Sequence, residues 1–93
     1  MNSIVRLTKR AKKDLKYVPR HILVQFDLWV EIIENEGLAT MQNVNGYRDH
    51  ALLGNRAGQR SSSLSRSWRV IYRIEADSHL VVVDILEVNH HDY

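Results

Sequence analysis

The segment Glu87-Val88-Asn89-His90-His91-Asp92-Tyr93 places two imidazoles, two carboxylates and a phenol at the end of the sequence, directly after its most strand-like stretch. Imidazole exchanges protons near neutral pH, and a neighbouring carboxylate or phenol can orient it or share its proton. Upstream, Arg48, Arg56, Arg60, Arg66, Arg69 and Arg73 form a block in which Asp49 is the only acid. Guanidinium groups are planar and always charged, which suits them to phosphate oxygens. Cations beside acid-base groups can cut RNA without a metal. The 2′-hydroxyl attacks its own phosphate while a base takes its proton, cations hold the developing charge and an acid protonates the leaving oxygen. Arg69 and Arg73 recur on one face of a predicted strand and are expected to meet one phosphate, with Tyr93 able to stack on a base. Asp92, His90, His50 and Glu87 are all candidates for the base.

Other chemistries find no support. His90, His91 and Asp92 are consecutive, so in an extended chain they alternate sides and do not converge on one ion. No phosphate-binding glycine loop, cysteine nucleophile or zinc spacing is present. Neither a metal nor a cofactor is expected.

The elements that must position these groups can be read from periodicity. Asn2 to Leu7 favours a first strand, and Thr8 offers a helix N-cap. Ala11, Leu15 and Val18 recur at helical spacing, and Pro19 stops that helix. A longer helix then opens at Pro19 or Arg20. Its face holds Ile22, Phe26, Trp29 and Ile33, is widened by Leu23 and Val30, and ends at Gly37. Beyond Gly37, turn formers bracket two short strands near Arg48 to Leu53 and Arg60 to Ser65. Trp68 to Glu75 alternates, with Trp68, Val70, Tyr72 and Ile74 on one side and Arg69, Ile71, Arg73 and Glu75 on the other. A turn at Asp77 and Ser78 leads to a β-branched strand from Leu80 to Val88, pairing with its predecessor as a hairpin. The expected fold is α+β, in the order β-α-α-β-β-β-β, with an N-terminal helical hairpin packed on a mostly antiparallel sheet.

A chain of 93 residues has room for one core, so a single domain over residues 1–93 is expected. It has no cysteine, no run of about 18 apolar residues and no signal-like start, which together favour the cytoplasm and exclude a membrane partner. The net charge is only +2, yet the charges are segregated. Lys9, Arg10, Lys12, Lys13 and Lys16 cluster, an acidic group from Asp27 to Glu36 comes next, and the arginine block is last. The lysines fit a solvated helix face as readily as a binding surface.

The element order, the segment Gly46-Tyr47-Arg48-Asp49-His50-Ala51-Leu52-Leu53-Gly54, the run Trp68-Arg69-Val70-Ile71-Tyr72 and the His91-Asp92-Tyr93 ending together resemble the RelE/ParE superfamily of bacterial type II toxins. The resemblance covers nearly the whole chain and is closest to the RelE and HigB messenger-RNA interferases. It implies a ribosome-dependent endoribonuclease acting on mRNA, a cognate antitoxin protein that neutralises it, and contact with operator DNA only through that antitoxin. Carried over by residue, His91 is the general acid or base, Asp92 and Tyr93 orient it or contact RNA, and Arg69 stabilises the phosphate. His50 matches a histidine found in some members. Arg60, Ser63, Arg66 and Arg73 fall on the RNA-binding face.

One position departs from the pattern. Relatives commonly read Arg-Ser-x-Arg-Leu where this chain has Arg60-Ser61-Ser62-Ser63-Leu64, so Ser63 replaces an expected cation. Loss of one charge-stabilising donor can cost about 3 kcal/mol in a transition state, so weakened cleavage is expected. A natural weak toxin and an inactivating substitution both fit. The competing reading is a ParE-like toxin that binds DNA gyrase without chemistry. Such a binder has no need of the proton-transferring tail. A plain RNA- or ribosome-binding module is a third reading.

Overall fold

The computed structural model describes residues 2–76 and 79–90. Strand β1 (Asn2–Leu7) leads into helix α1 (Lys9–Leu15) through Thr8, whose hydroxyl accepts from the Ala11 amide at 3.2 Å and donates to the Ile85 carbonyl at 2.7 Å. The same side chain therefore caps the helix and ties it to the sheet. Helix α1 stops at Leu15, earlier than the Val18 periodicity suggests. Val18 is nonetheless buried, in the turn before Pro19.

Helix α2 (Arg20–Glu36) buries Ile22, Phe26, Trp29 and Ile33 as its spacing predicts, with Pro19 at its N-cap. Gly37 takes φ +99°, a left-handed value open to glycine. It leads straight into a third helix, α3 (Leu38–Gln42), over residues whose composition suggests a loop. This helix is barely more than one turn long, and only Met41 is buried, so it carries almost no periodic signal.

The sheet has five strands in the order β1-β5-β4-β3-β2, where β2 is His50–Ala51, β3 is Gln59–Ser63, β4 is Trp68–Ala76 and β5 is Leu80–His90. All neighbours are antiparallel except β1, which lies parallel to β5. The predicted strands at Arg48 to Leu53 and Arg60 to Ser65 are shorter than expected. The turn expected at Asp77 and Ser78 lies outside the described residues.

One face of the sheet carries Val70, Tyr72, Val83, Ile85 and Val88, which pack with Trp29, Ile22 and Ile33 into a single core. A β-bulge on β5 between Ile85 and Glu87 lets residues of opposite parity, Ile85 and Val88, both face that core. On the outer face, where the alternation places it among the arginines, Ile71 is fully buried between cross-strand partners Ser61 and Glu87. No helix among the described residues is long and apolar enough to cross a membrane.

The far end of the outer face is held by ions. Arg6 on β1 donates from Nε and Nη2 to both oxygens of buried Asp84, at 2.9 and 3.2 Å. These bonds hold the Asp84 carboxyl below the usual carboxylate range. A carboxyl depressed in the folded state stabilises the fold above about pH 4, and that contribution is lost as pH falls through the folded value. Arg6→Gln is expected to lower urea stability near neutral pH, with a loss that shrinks as acid protonates the Asp84 carboxyl, flattening the acid limb of a stability–pH profile.

Candidate active site

The site begins with a reversal of the chain. After buried Tyr47, Arg48 adopts a left-handed backbone at φ +48°, uncommon for a residue with a side chain. The Asp49 side chain is then directed inward and wholly buried, whereas His50 is exposed on the outer side of the sheet. Three groups satisfy Asp49. The Arg60 guanidinium donates to Oδ1 at 2.7 and 2.8 Å, and the Ser62 and Tyr72 hydroxyls donate to Oδ2 at 2.5 and 2.6 Å. Burial, reinforced by Asp49, pushes the Tyr72 phenol far above its ordinary range, so its proton stays in place. Gln42 of α3 donates to the same phenol oxygen at 3.2 Å.

Strand register sets the outer side. His50 pairs with Ser61, Ser61 with Ile71 and Ser63 with Arg69, so their side chains share one face. Of these, His50, Ser61, Ser63 and Arg69, together with Arg48, Ser65, Arg66 and Trp68, line an open cleft of about 220 Å³. His50 Nδ1 lies 2.8 Å from the Arg48 carbonyl. A carbonyl only accepts, so Nδ1 carries the proton and, in the neutral ring, the lone pair sits on Nε2. That tautomer is suited to a general base. Two turn bonds, from the Ser67 and Trp68 amides to the Ser65 hydroxyl at 3.2 Å, fix the loop bearing Arg66.

Arg69 is oriented from behind. Its Nε donates to Asn89 Oδ1 at 3.0 Å, and Asn89 Nδ2 donates to Glu87 Oε1 at 3.1 Å. Reversing the amide would set N–H against N–H and oxygen against carboxylate, so the network fixes the orientation of Asn89. Glu87 also pairs with Arg56 and lies 3.8 Å from Arg10 of α1. It is thus engaged by partners rather than poised as a base. His90 packs its ring edge-on to Trp68 at 5.3 Å.

The cleft unites four of the residues singled out by sequence: His50, Ser63, Arg66 and Arg69. Two others are placed elsewhere. Arg60 faces the core side, because it pairs with Tyr72, and is held by Asp49. Arg73 does share the outer face with Arg69, but four residues of strand separate them by about 13 Å, so they do not meet one phosphate. Arg73 pairs instead with Glu75 at 3.7 Å. His91, Asp92 and Tyr93 lie outside the described residues. Sequence reasoning named Arg48 only as one of the arginine block and did not assign roles to Trp68, Asn89 or Asp49. The available signal was Asp49 itself, a lone acid among six arginines. Among the described residues no His, Cys, Asp and Glu cluster is arranged to hold a metal ion.

A family model described as ParE toxin of type II toxin-antitoxin system, parDE, matches residues 5–92. The chain belongs to the ParE toxin family. The sequence thus falls within the RelE/ParE superfamily that its motifs resemble. Solved structures of RelE-like toxins agree in fold. The toxin-antitoxin complex RelBE2 from Mycobacterium tuberculosis has a chain 25% identical, with TM-score 0.69 over 98% of this chain and 100% of that one. The DinJ-YafQ toxin-antitoxin complex of E. coli is matched at 18% identity and TM-score 0.71, over 98% of this chain and 94% of that one. The YoeB/ParE toxin from Agrobacterium tumefaciens is matched at 13% identity and TM-score 0.73, over 99% and 100%. No curated protein sequence matches this ParE-family chain at a significant level.

The two kinds of bond around Asp49 are separable by mutation. Asp49→Ala leaves Arg60, Ser62 and Tyr72 without their acceptor and is expected to cost about 3 kcal/mol. Tyr72→Phe removes one donor of three and is expected to cost about 1 kcal/mol. Urea unfolding of the two variants checks the ranking.

Proposed function

We propose that this toxin cuts messenger RNA on the ribosome by metal-independent attack of the 2′-hydroxyl, using the cleft between β2 and β4 as the centre. The observation that carries the reading is the convergence of His50, Arg66 and Arg69 in one cleft, with the Arg69 guanidinium oriented by Asn89. Arg69 holds a phosphate oxygen, and Arg48 and Arg66 add positive charge on either side. His50 Nε2 or the tail takes the 2′-proton, and His91 gives a proton to the departing 5′-oxygen. The 2′-oxygen bonds to phosphorus as the bond to the 5′-oxygen breaks, leaving a 2′,3′-cyclic phosphate and a 5′-hydroxyl. Asp92 and Tyr93 orient His91 or contact RNA.

Ser63 lies in the same cleft, opposite Arg69 in the strand register, where an arginine would add a cation at the phosphate. The reading therefore includes attenuation by Ser63. It also includes a single toxin domain over residues 1–93, a cytoplasmic setting, and a cognate antitoxin protein that covers the cleft and alone carries the pair to operator DNA. The toxin-antitoxin complexes among the structural relatives support that partner.

The match to ParE toxins supports a second reading, a gyrase inhibitor without chemistry. Primer extension on mRNA in a purified translation system separates the two. Discrete ribosome-dependent cuts are expected, falling about 100-fold or more in Arg69→Ala and in His91→Ala, and rising in Ser63→Arg. Absence of cuts from both this chain and Ser63→Arg would overturn the nuclease reading and favour gyrase.

A further inference from the structure

Helix α1 holds a charge pattern that the cleft does not use. Lys9, Lys12, Lys13 and Lys16 are spaced at i, i+3, i+4 and i+7, and all four are exposed. That spacing puts them in one stripe about 10 Å long. Ala11, the buried residue of the helix, is off the stripe. Lys16 is the C-cap and keeps right-handed helical angles, so the stripe continues through it.

Lys12 and Lys13 lie in the last turn, where the helix dipole favours cations, but the start of the stripe and its mutual repulsion work against the helix. Lys9 and Arg10 open the first turn, where the helix dipole disfavours cations and where no acid is present. Lys9 faces Lys13 and Lys12 faces Lys16 at i, i+4, pairs of like charge that weaken a helix. Asp14, the one acid of the helix, is engaged by Arg10 at 3.1 Å and by the Val88 amide at 3.0 Å. None of the four lysines makes an ion pair with another described residue. Four exposed like charges held on one stripe, with no acid among the described residues set against them, point to an anionic ligand.

The helix is also joined to the cleft. Arg10 reaches Glu87, the residue that fixes Asn89 behind Arg69, and Asp14 binds the backbone of β5 one residue further on. The stripe and the cleft therefore flank the same end of β5.

We propose that the α1 lysine stripe is a second contact for RNA, binding the phosphodiester backbone of a strand whose other part occupies the cleft. Protein interfaces are depleted of lysine at their centres and need apolar anchors. This stripe contains no apolar residue, and its immediate exposed neighbour is Tyr17, an aromatic ring of the kind on which unpaired bases stack. Lysine is a flexible point charge, suited to phosphates irrespective of sequence. The surface goes beyond the cutting site; it rests on the reading of the cleft as an RNA site and not on whether the RNA held there is cut.

The test uses the full chain and a labelled single-stranded 2′-O-methyl RNA of 20 nucleotides, which has no free 2′-hydroxyl to attack. Binding is measured by anisotropy across a salt series. Replacing all four lysines with glutamine is expected to weaken binding about tenfold near 0.1 M salt and to reduce the slope of log K against log salt by about 3, from roughly 0.7 per phosphate contact. The melting temperature is expected to rise, because the self-repulsion is gone, and the matching lysine-to-arginine variant should keep affinity and slope. An unchanged slope in the glutamine variant overturns the proposal. So does RNA binding that persists while binding to a poly-glutamate peptide is lost, which would make the stripe a protein contact. If the stripe binds RNA but no variant cuts mRNA, the surface stands and the nuclease reading falls.

Discussion

A carboxylate taken wholly out of water must find donors for its oxygens, and Asp49 finds them on three side chains from two strands. This constraint fixes the chain around it. Arg60, Ser62 and Tyr72 belong to β3 and β4, whereas Asp49 stands at the entry to β2, so the hub ties the short edge strand to the body of the sheet. A two-residue strand has too few ladder bonds to hold its place alone. The left-handed turn at Arg48 completes the arrangement by sending neighbouring side chains to opposite sides, Asp49 into the core and His50 outward.

The same division between opposite faces runs through the sheet. Toward the helices, β4 gives Val70 and Tyr72 to the core. Away from them it gives Arg69 to the cleft and Arg73 to the ionic cluster with Glu75, while Ile71 between them is buried. Bonds from β5 complete both ends, Asn89 behind Arg69 and Asp84 beneath Arg6. The bulge on β5 makes this possible, since it lets Glu87 and Asn89 point outward on the same strand whose other half sends Ile85 and Val83 inward.

Much of this was legible in the residues. The helix faces, the Thr8 cap, the Gly37 stop and the β4–β5 hairpin emerge from spacing and local chemistry, because each depends on residues near one another in sequence. Helix α3 was not legible, being too short to show a period. The side of the sheet on which Arg60 lies was hidden for a different reason. Arginine in a strand suggests an outward face, and only the distant pairing with Tyr72 and Asp49 reverses it. Arg69 and Arg73 were read as a pair from parity, which gives the face but not the distance. The Arg69–Asn89–Glu87 chain depends on the register across a bulge, which no local pattern reports.

The central proposal is that the cleft cuts RNA through the 2′-hydroxyl, with protein groups alone carrying the protons and charge. Mass spectrometry of RNA ends from a translation reaction quenched after chelation of added zinc and transition metals tests it most directly. The account predicts fragments ending in a 2′,3′-cyclic phosphate, paired with 5′-hydroxyl ends. Fragments that carry 5′-phosphates would contradict it, because they require attack by water on the opposite bond and hence a different chemistry in the cleft.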